Sequence, residues 1–181
     1  MADPEHFQHV LAAARDGADW AWTELYTQHA PTLLRFITSL GAAEPEDCLG
    51  ECFVQAVRNL RNFTGDEPAF RAWMFRVARN RVVDTWRASS RRPAYATGDV
   101  ESRHDRAFHS EAADSRLLQQ TAAGEVLAEL PESQRSVLVL RVLDGFSVEE
   151  TASILGRSPG SVRVLQTRAL KRLRQVLAVR P

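Results

Sequence analysis

Apolar side chains recur every three or four residues along almost the whole chain, and no run alternates with the period of two of a half-buried strand. The pattern predicts an all-α fold. Phe7, Val10, Leu11 and Ala14 form a first stripe, which Gly17 ends. Trp20, Leu25, Tyr26, Leu33, Leu34, Phe36, Ile37 and Leu40 form a longer one, ended by Gly41 and expected to kink at Pro31. A third helix is expected to open at Pro45, with Glu46 and Asp47 in its first turn, where carboxylates favour the helix dipole. Its buried stripe reads Cys48, Leu49, Cys52, Phe53, Ala56, Val57 and Leu60. After the loop Asn62 to Glu67, a fourth helix starts at Pro68 and turns Phe70, Trp73, Met74, Val77, Ala78, Val82 and Trp86 inward. Trp73 and Trp86 are read as core residues.

Beyond this the composition shifts. Residues 91–115 hold Ser, Arg, Asp, His, Gly and Ala with few large apolar side chains, too little to offset the entropy of ordering the chain. The expected architecture is therefore two small helical domains, 1–90 and 116–181, joined by a flexible linker at 91–115. Helical periodicity resumes at Leu117 and Leu118, reaches Leu130 and Pro131, and continues through Val137, Leu138, Leu140 and Leu143 to a stop at Gly145. Ser147 then begins a capping box with Glu150, Gly156 makes a turn, and Ser158 caps a last helix with Pro159 at its first position. A short helix, a glycine turn and a longer basic helix make a helix-turn-helix.

Composition adds less than the placement of charge. The net charge is +0, but residues 1–69 carry −7, residues 70–95 +6, residues 96–144 −4 and residues 145–181 +5. Two basic blocks, each ending a separate expected domain, suggest two places where phosphates are met. No run approaches the roughly 20 apolar residues of a membrane span, and the N-terminus lacks a signal peptide's basic start, so a cytoplasmic protein without membrane insertion is expected. Cys48 and Cys52 share one helix face with no second pair or nearby histidine to complete a metal site, and are read as small core residues. His6 and His9 are read as surface residues. No metal or other cofactor is expected, and no glycine-rich phosphate loop or nucleophile elbow points to an enzyme.

The segment Ser147 to Leu173 is the sharpest single signal, because its geometry is what insertion into a DNA major groove requires. Ser158, Ser161, Arg163, Gln166 and Arg168 are the candidates for base edges and phosphates, with Arg157 and Lys171 nearer the backbone. A purely structural helical hairpin is the competing reading. Alone, the motif would also fit a transcription regulator that binds duplex DNA without joining a polymerase.

The first domain narrows the choice. The passage WTELYTQHAPTLLRFITSLGAAEPEDCLGECFVQAVRNLRNF, followed by AFRAWMFRVARNRVVDTWR, resembles the second conserved region of extracytoplasmic-function (ECF) sigma factors of RNA polymerase. The passage LPESQRSVLVLRVLDGFSVEETASILGRSPGSVRVLQTRALKRLR resembles their fourth. Val164 and Leu165 depart from the pattern, standing where many members have small polar or basic residues.

The resemblance implies a polymerase subunit that recognises promoters and leaves catalysis to the enzyme. Its partners would be core RNA polymerase, through the clamp coiled coil of the largest subunit and the flap region, and promoter DNA. An inhibitory anti-sigma partner is a further expectation of the same kind. Asp47, Glu51, Gln55, Arg58 and Asn59 would form the polymerase-binding face of the third helix. Phe63, Phe75 and Asn80 would form the pocket and wedge that capture a base flipped from the −10 element, with Arg76, Arg79 and Arg87 on phosphates. The helix-turn-helix would read the −35 element.

Overall fold

The computed structural model describes residues 4–90 and 122–179, and within them every regular element is helical. The expected linker, 91–115, lies outside the described residues, as do Leu117 and Leu118. The first unit consists of α1 (Pro4–Arg15), α2 (Asp19–Ser39), α3 (Pro45–Asn59), a single 3₁₀ turn (Leu60–Asn62) and α4 (Glu67–Ser90). α2 runs on through Pro31. Asp66 caps α4 by accepting from the Ala69 amide at 3.0 Å, which sets its start. The core is built from Phe7 and Leu11 of α1, Leu25, Leu33, Phe36 and Ile37 of α2, Cys52 and Ala56 of α3, and Phe70, Met74, Phe75 and Ala78 of α4. Both cysteines are buried and free. Their thiols are hydrogen-bonded to each other, which lowers the Cys48 pKa and raises that of Cys52.

Three positions read as buried in this unit are exposed, and Trp86 is half-buried. Trp20 and Tyr26 are each 48% exposed and Val57 is 52% exposed. Trp20 stacks on His9 at 5.6 Å and Tyr26 leans on Phe53 at 4.8 Å, so each ring covers one face against a neighbour and leaves the other in solvent.

The second unit comprises α5 (Ala122–Ala128), α6 (Glu132–Leu138), a π turn (Val139–Leu143), α7 (Val148–Leu155) and α8 (Pro159–Val179). A plain helix to Gly145 was expected. Instead the turn widens, with the Asp144 amide donating to Val139 O and the Phe146 amide to Leu140 O, both at 2.9 Å. One result is that Leu143, counted in the buried stripe, is 48% exposed. The capping box is present in full: Ser147 Oγ accepts from the Glu150 amide at 3.1 Å and Glu150 Oε2 from the Ser147 amide at 2.7 Å. Gly156 ends α7 in the left-handed region at φ 62°, where a side chain would be strained. Ser158 Oγ accepts from the Ser161 amide at 3.2 Å, capping α8.

The two units pack against each other. Phe146, in the turn between the π segment and α7, lies 4.9 Å from the Phe75 ring and 4.4 Å from the Arg71 guanidinium. Beside it, the buried Asp144 accepts from Arg35 of α2, and Arg71 of α4 donates to its backbone carbonyl. α7 lies along α4.

Candidate nucleic-acid interface

Three surfaces gather the candidate residues. The first is the outer face of α3, where Asp47, Glu51, Gln55, Arg58 and Asn59 are all exposed. Glu51 pairs with Arg81 of α4, and Asn59 Nδ2 donates to Gln55 O at 2.8 Å. Val54 (50% exposed) and Val57 stand among these polar groups. Sequence reasoning missed both as surface residues; the signal available was an apolar residue off the main stripe at Val54.

The second is a groove of about 540 Å³ between the end of α3, the loop after it and the first turns of α4. Asn59, Asn62, Phe63, Trp73 and Arg76 are among the residues that line it. Phe63 stacks on Trp73 at 5.3 Å and 28°, and meets Phe70 edge-on at 5.6 Å. Trp73, read from sequence as core, is half-buried: it packs on Phe70 and also lines the groove.

Phe75 is not brought to this groove. It is fully buried, 5.0 Å from Phe36 and 4.9 Å from Phe146. Two residues along a helix from Trp73 is about 200° around its axis, so Phe75 faces α2 while Trp73 faces the groove. Burying a side chain of that size contributes roughly 1.5–3 kcal/mol, which holds it inward.

Arg76 and Asn80 are exposed one turn apart on α4, and Arg87, also exposed, lies 3.6 Å from Asp84. Arg79 is half-buried beneath the helix-turn-helix, its guanidinium 3.4 Å from where a side chain at Gly156 would begin. Burial, then repulsion from Arg87 and Arg157, lowers its pKa. Arginines from both units therefore converge on one basic surface, which no local pattern revealed. Arg76 Nη1 lies 3.5 Å from Ser153 Oγ of α7.

The third surface is α8 with the turn before it. Arg157, Ser158, Arg163, Arg168 and Lys171 are exposed, Ser161 is half-buried, and Val162 and Ala169 are buried inside. Gln166 is half-buried and accepts from Arg141 Nε at 3.3 Å, so it is tied into the unit. Arg163 pairs with Glu149 of α7 at 3.2 Å. Val164, 49% exposed, presents an apolar surface among these polar groups.

Comparison with known proteins matches this layout. The Sigma-70 region 2 family covers residues 25–92, and the Sigma-70, region 4 family covers residues 120–173. The ECF RNA polymerase sigma factor ShbA of Streptomyces griseus is 39% identical over 132 residues, spanning 71% of this chain and 69% of ShbA. BldN of Streptomyces coelicolor, another ECF sigma factor, is 30% identical over 178 residues, 97% of this chain and 67% of its own. The chain belongs to the ECF RNA polymerase sigma factors.

This sigma factor thus directs transcription initiation, and the reading as a regulator independent of polymerase is not favoured. A solved structure of CnrH in complex with the cytosolic domain of CnrY superposes with a TM-score of 0.64 at 26% identity, over 95% of this chain and 97% of that one. The α3 face and the groove fall within the region 2 match and the helix-turn-helix within the region 4 match. α1 precedes both. No helix among the described residues is long and apolar enough to cross a membrane.

Proposed function

We propose that the three surfaces of this sigma factor divide the work of initiation. The outer face of α3, Asp47 to Asn59 with Val54 and Val57 at its centre, docks on the clamp coiled coil of core polymerase. The groove beside Phe63 and Trp73 takes an unstacked base of the −10 element, and Arg76, Arg79 and Arg87 hold phosphates of the displaced strand. Asn80 contacts a neighbouring base edge. The exposed side of α8, with Arg157, Ser158, Arg163, Arg168 and Lys171, enters the −35 major groove. Catalysis stays with the polymerase, and the protein works in the cytoplasm.

The observation that carries this reading is the stacked Phe63–Trp73 pair lining an open groove beside an arginine-rich helix. Stacking on an aromatic wall offsets the few kcal/mol that extruding a base costs. In the packed arrangement α7 covers part of the Arg76 and Arg79 surface, so full contact with DNA requires the C-terminal unit to move away from α4. An anti-sigma partner would act by holding the units together.

Run-off transcription with core polymerase on pooled genomic promoter fragments tests the proposal. Discrete transcripts that depend on this protein are expected, and they vanish in the Phe63→Ala, Trp73→Ala double variant. Specific duplex binding by the protein alone, with no transcripts, would overturn it.

A further inference from the structure

The loop that carries Phe63 has little of its own to hold it. Within it the Phe63 amide donates to Leu60 O at 3.1 Å. Three backbone carbonyls of this loop and of the 3₁₀ turn before it also accept from α1, a helix that precedes both family matches. Arg15 Nη2 donates to Phe63 O at 2.7 Å, and Arg15 Nε to Leu60 O at 3.5 Å. Gln8 Nε2 donates to Gly65 O at 3.0 Å. Phe7, also of α1, packs on Phe70 at 5.7 Å, under the ring that Phe63 meets edge-on. Gly65 closes the loop tightly, since a Cβ there would lie 2.8 Å from Ala69 and 3.1 Å from the Phe63 ring.

We propose that α1 is part of the −10 apparatus, with Arg15 as a positioning residue that sets the Phe63 wall of the base pocket through its backbone. This rests on the reading of the groove given above. Arg15 is suited to the task because its planar fork directs donors at two carbonyls three residues apart, and charge-assisted hydrogen bonds are roughly twice as strong as neutral ones. A stacked base tolerates little displacement of its platform, so releasing the carbonyls costs discrimination at one promoter position before it costs folding.

The test uses holoenzyme reconstituted from the full chain, on a promoter recovered by run-off transcription, with each of the four bases in turn at every −10 position. For Arg15→Ala, assembly with polymerase and the melting temperature should stay close to wild type. Base discrimination should fall about tenfold at a single position, the same one that Phe63→Ala flattens, and Arg15→Lys should recover part of it. A purely structural role would lower assembly and melting temperature together and leave discrimination intact, which would overturn the proposal. If Phe63→Ala also leaves discrimination intact, the pocket reading itself fails; if Phe63→Ala flattens it and Arg15→Ala does not, only the role of α1 fails. Should Arg15→Ala not fold, Gln8→Ala, which releases Gly65 O alone, gives the same comparison.

Discussion

Arg35 and Asp144 lie 109 residues apart in sequence and meet across the packing of the two units, Arg35 Nη2 donating to a carboxylate whose side chain is fully buried. The Arg71 guanidinium lies 3.9 Å from the same oxygen. Burial raises the Asp144 pKa, while the two arginines oppose that shift. A buried charge that loses one partner is costly. Arg35→Ala is therefore expected to weaken the docking of the C-terminal unit by about 1–3 kcal/mol. Small-angle scattering of the free protein should record a larger radius of gyration, and an unchanged curve would show that the pair does not hold the units together.

His29 predicts an acid-sensitive fold. Its ring is buried against Phe70 at 5.3 Å, and burial, then repulsion from Arg71, lowers its pKa from 6.5 to about 4. The unfolded chain thus binds a proton there that the folded protein refuses, so stability is complete above pH 6.5 and is lost as pH falls toward 4. The loss should approach roughly 3 kcal/mol. Asp144, with a raised pKa, acts in the opposite sense: the stability linked to its protonation is present below its unfolded value of 3.8 and lost as pH rises through the folded one. Urea titrations across this range should show wild type losing more stability toward pH 4 than His29→Leu does, the difference between the two isolating the histidine.

Val54 and Val57 should matter to assembly and not to folding. Half-exposed valines in the middle of a polar face gain little on folding but desolvate fully when a partner covers them. Val57→Glu is expected to weaken binding to core polymerase at least about tenfold in a pull-down titration. The thermal midpoint should stay near that of wild type.

On the proposed reading of α8, Glu149 competes with DNA for Arg163 through the 3.2 Å pair between α7 and α8. Both side chains are more than half exposed, so the pair contributes only about 0–1 kcal/mol to the fold. Glu149→Gln should tighten binding of the −35 duplex about two- to fivefold and steepen the salt dependence by about one counterion. Unchanged affinity across a salt series would place Arg163 away from phosphate.

What was legible in the sequence was whatever local chemistry decides. Ser147 and Glu150 sit three residues apart and form their capping box wherever the chain places them, and Gly156 takes the left-handed turn because it lacks a Cβ. The basic block on α8 and the polar face of α3 follow in the same way from the period of the helix. Tertiary structure decided which neighbour each face meets. Phe75 and Trp73 are both large and aromatic on one helix, yet one is core and the other lines a groove, because α2 and Phe146 cover only one side of α4. The grip of Arg15 on the Phe63 loop and of Arg35 on Asp144 spans 48 and 109 residues. Periodicity fixes the direction of a side chain around its own helix axis, but a contact also needs the position of a second helix, which only the packed core supplies.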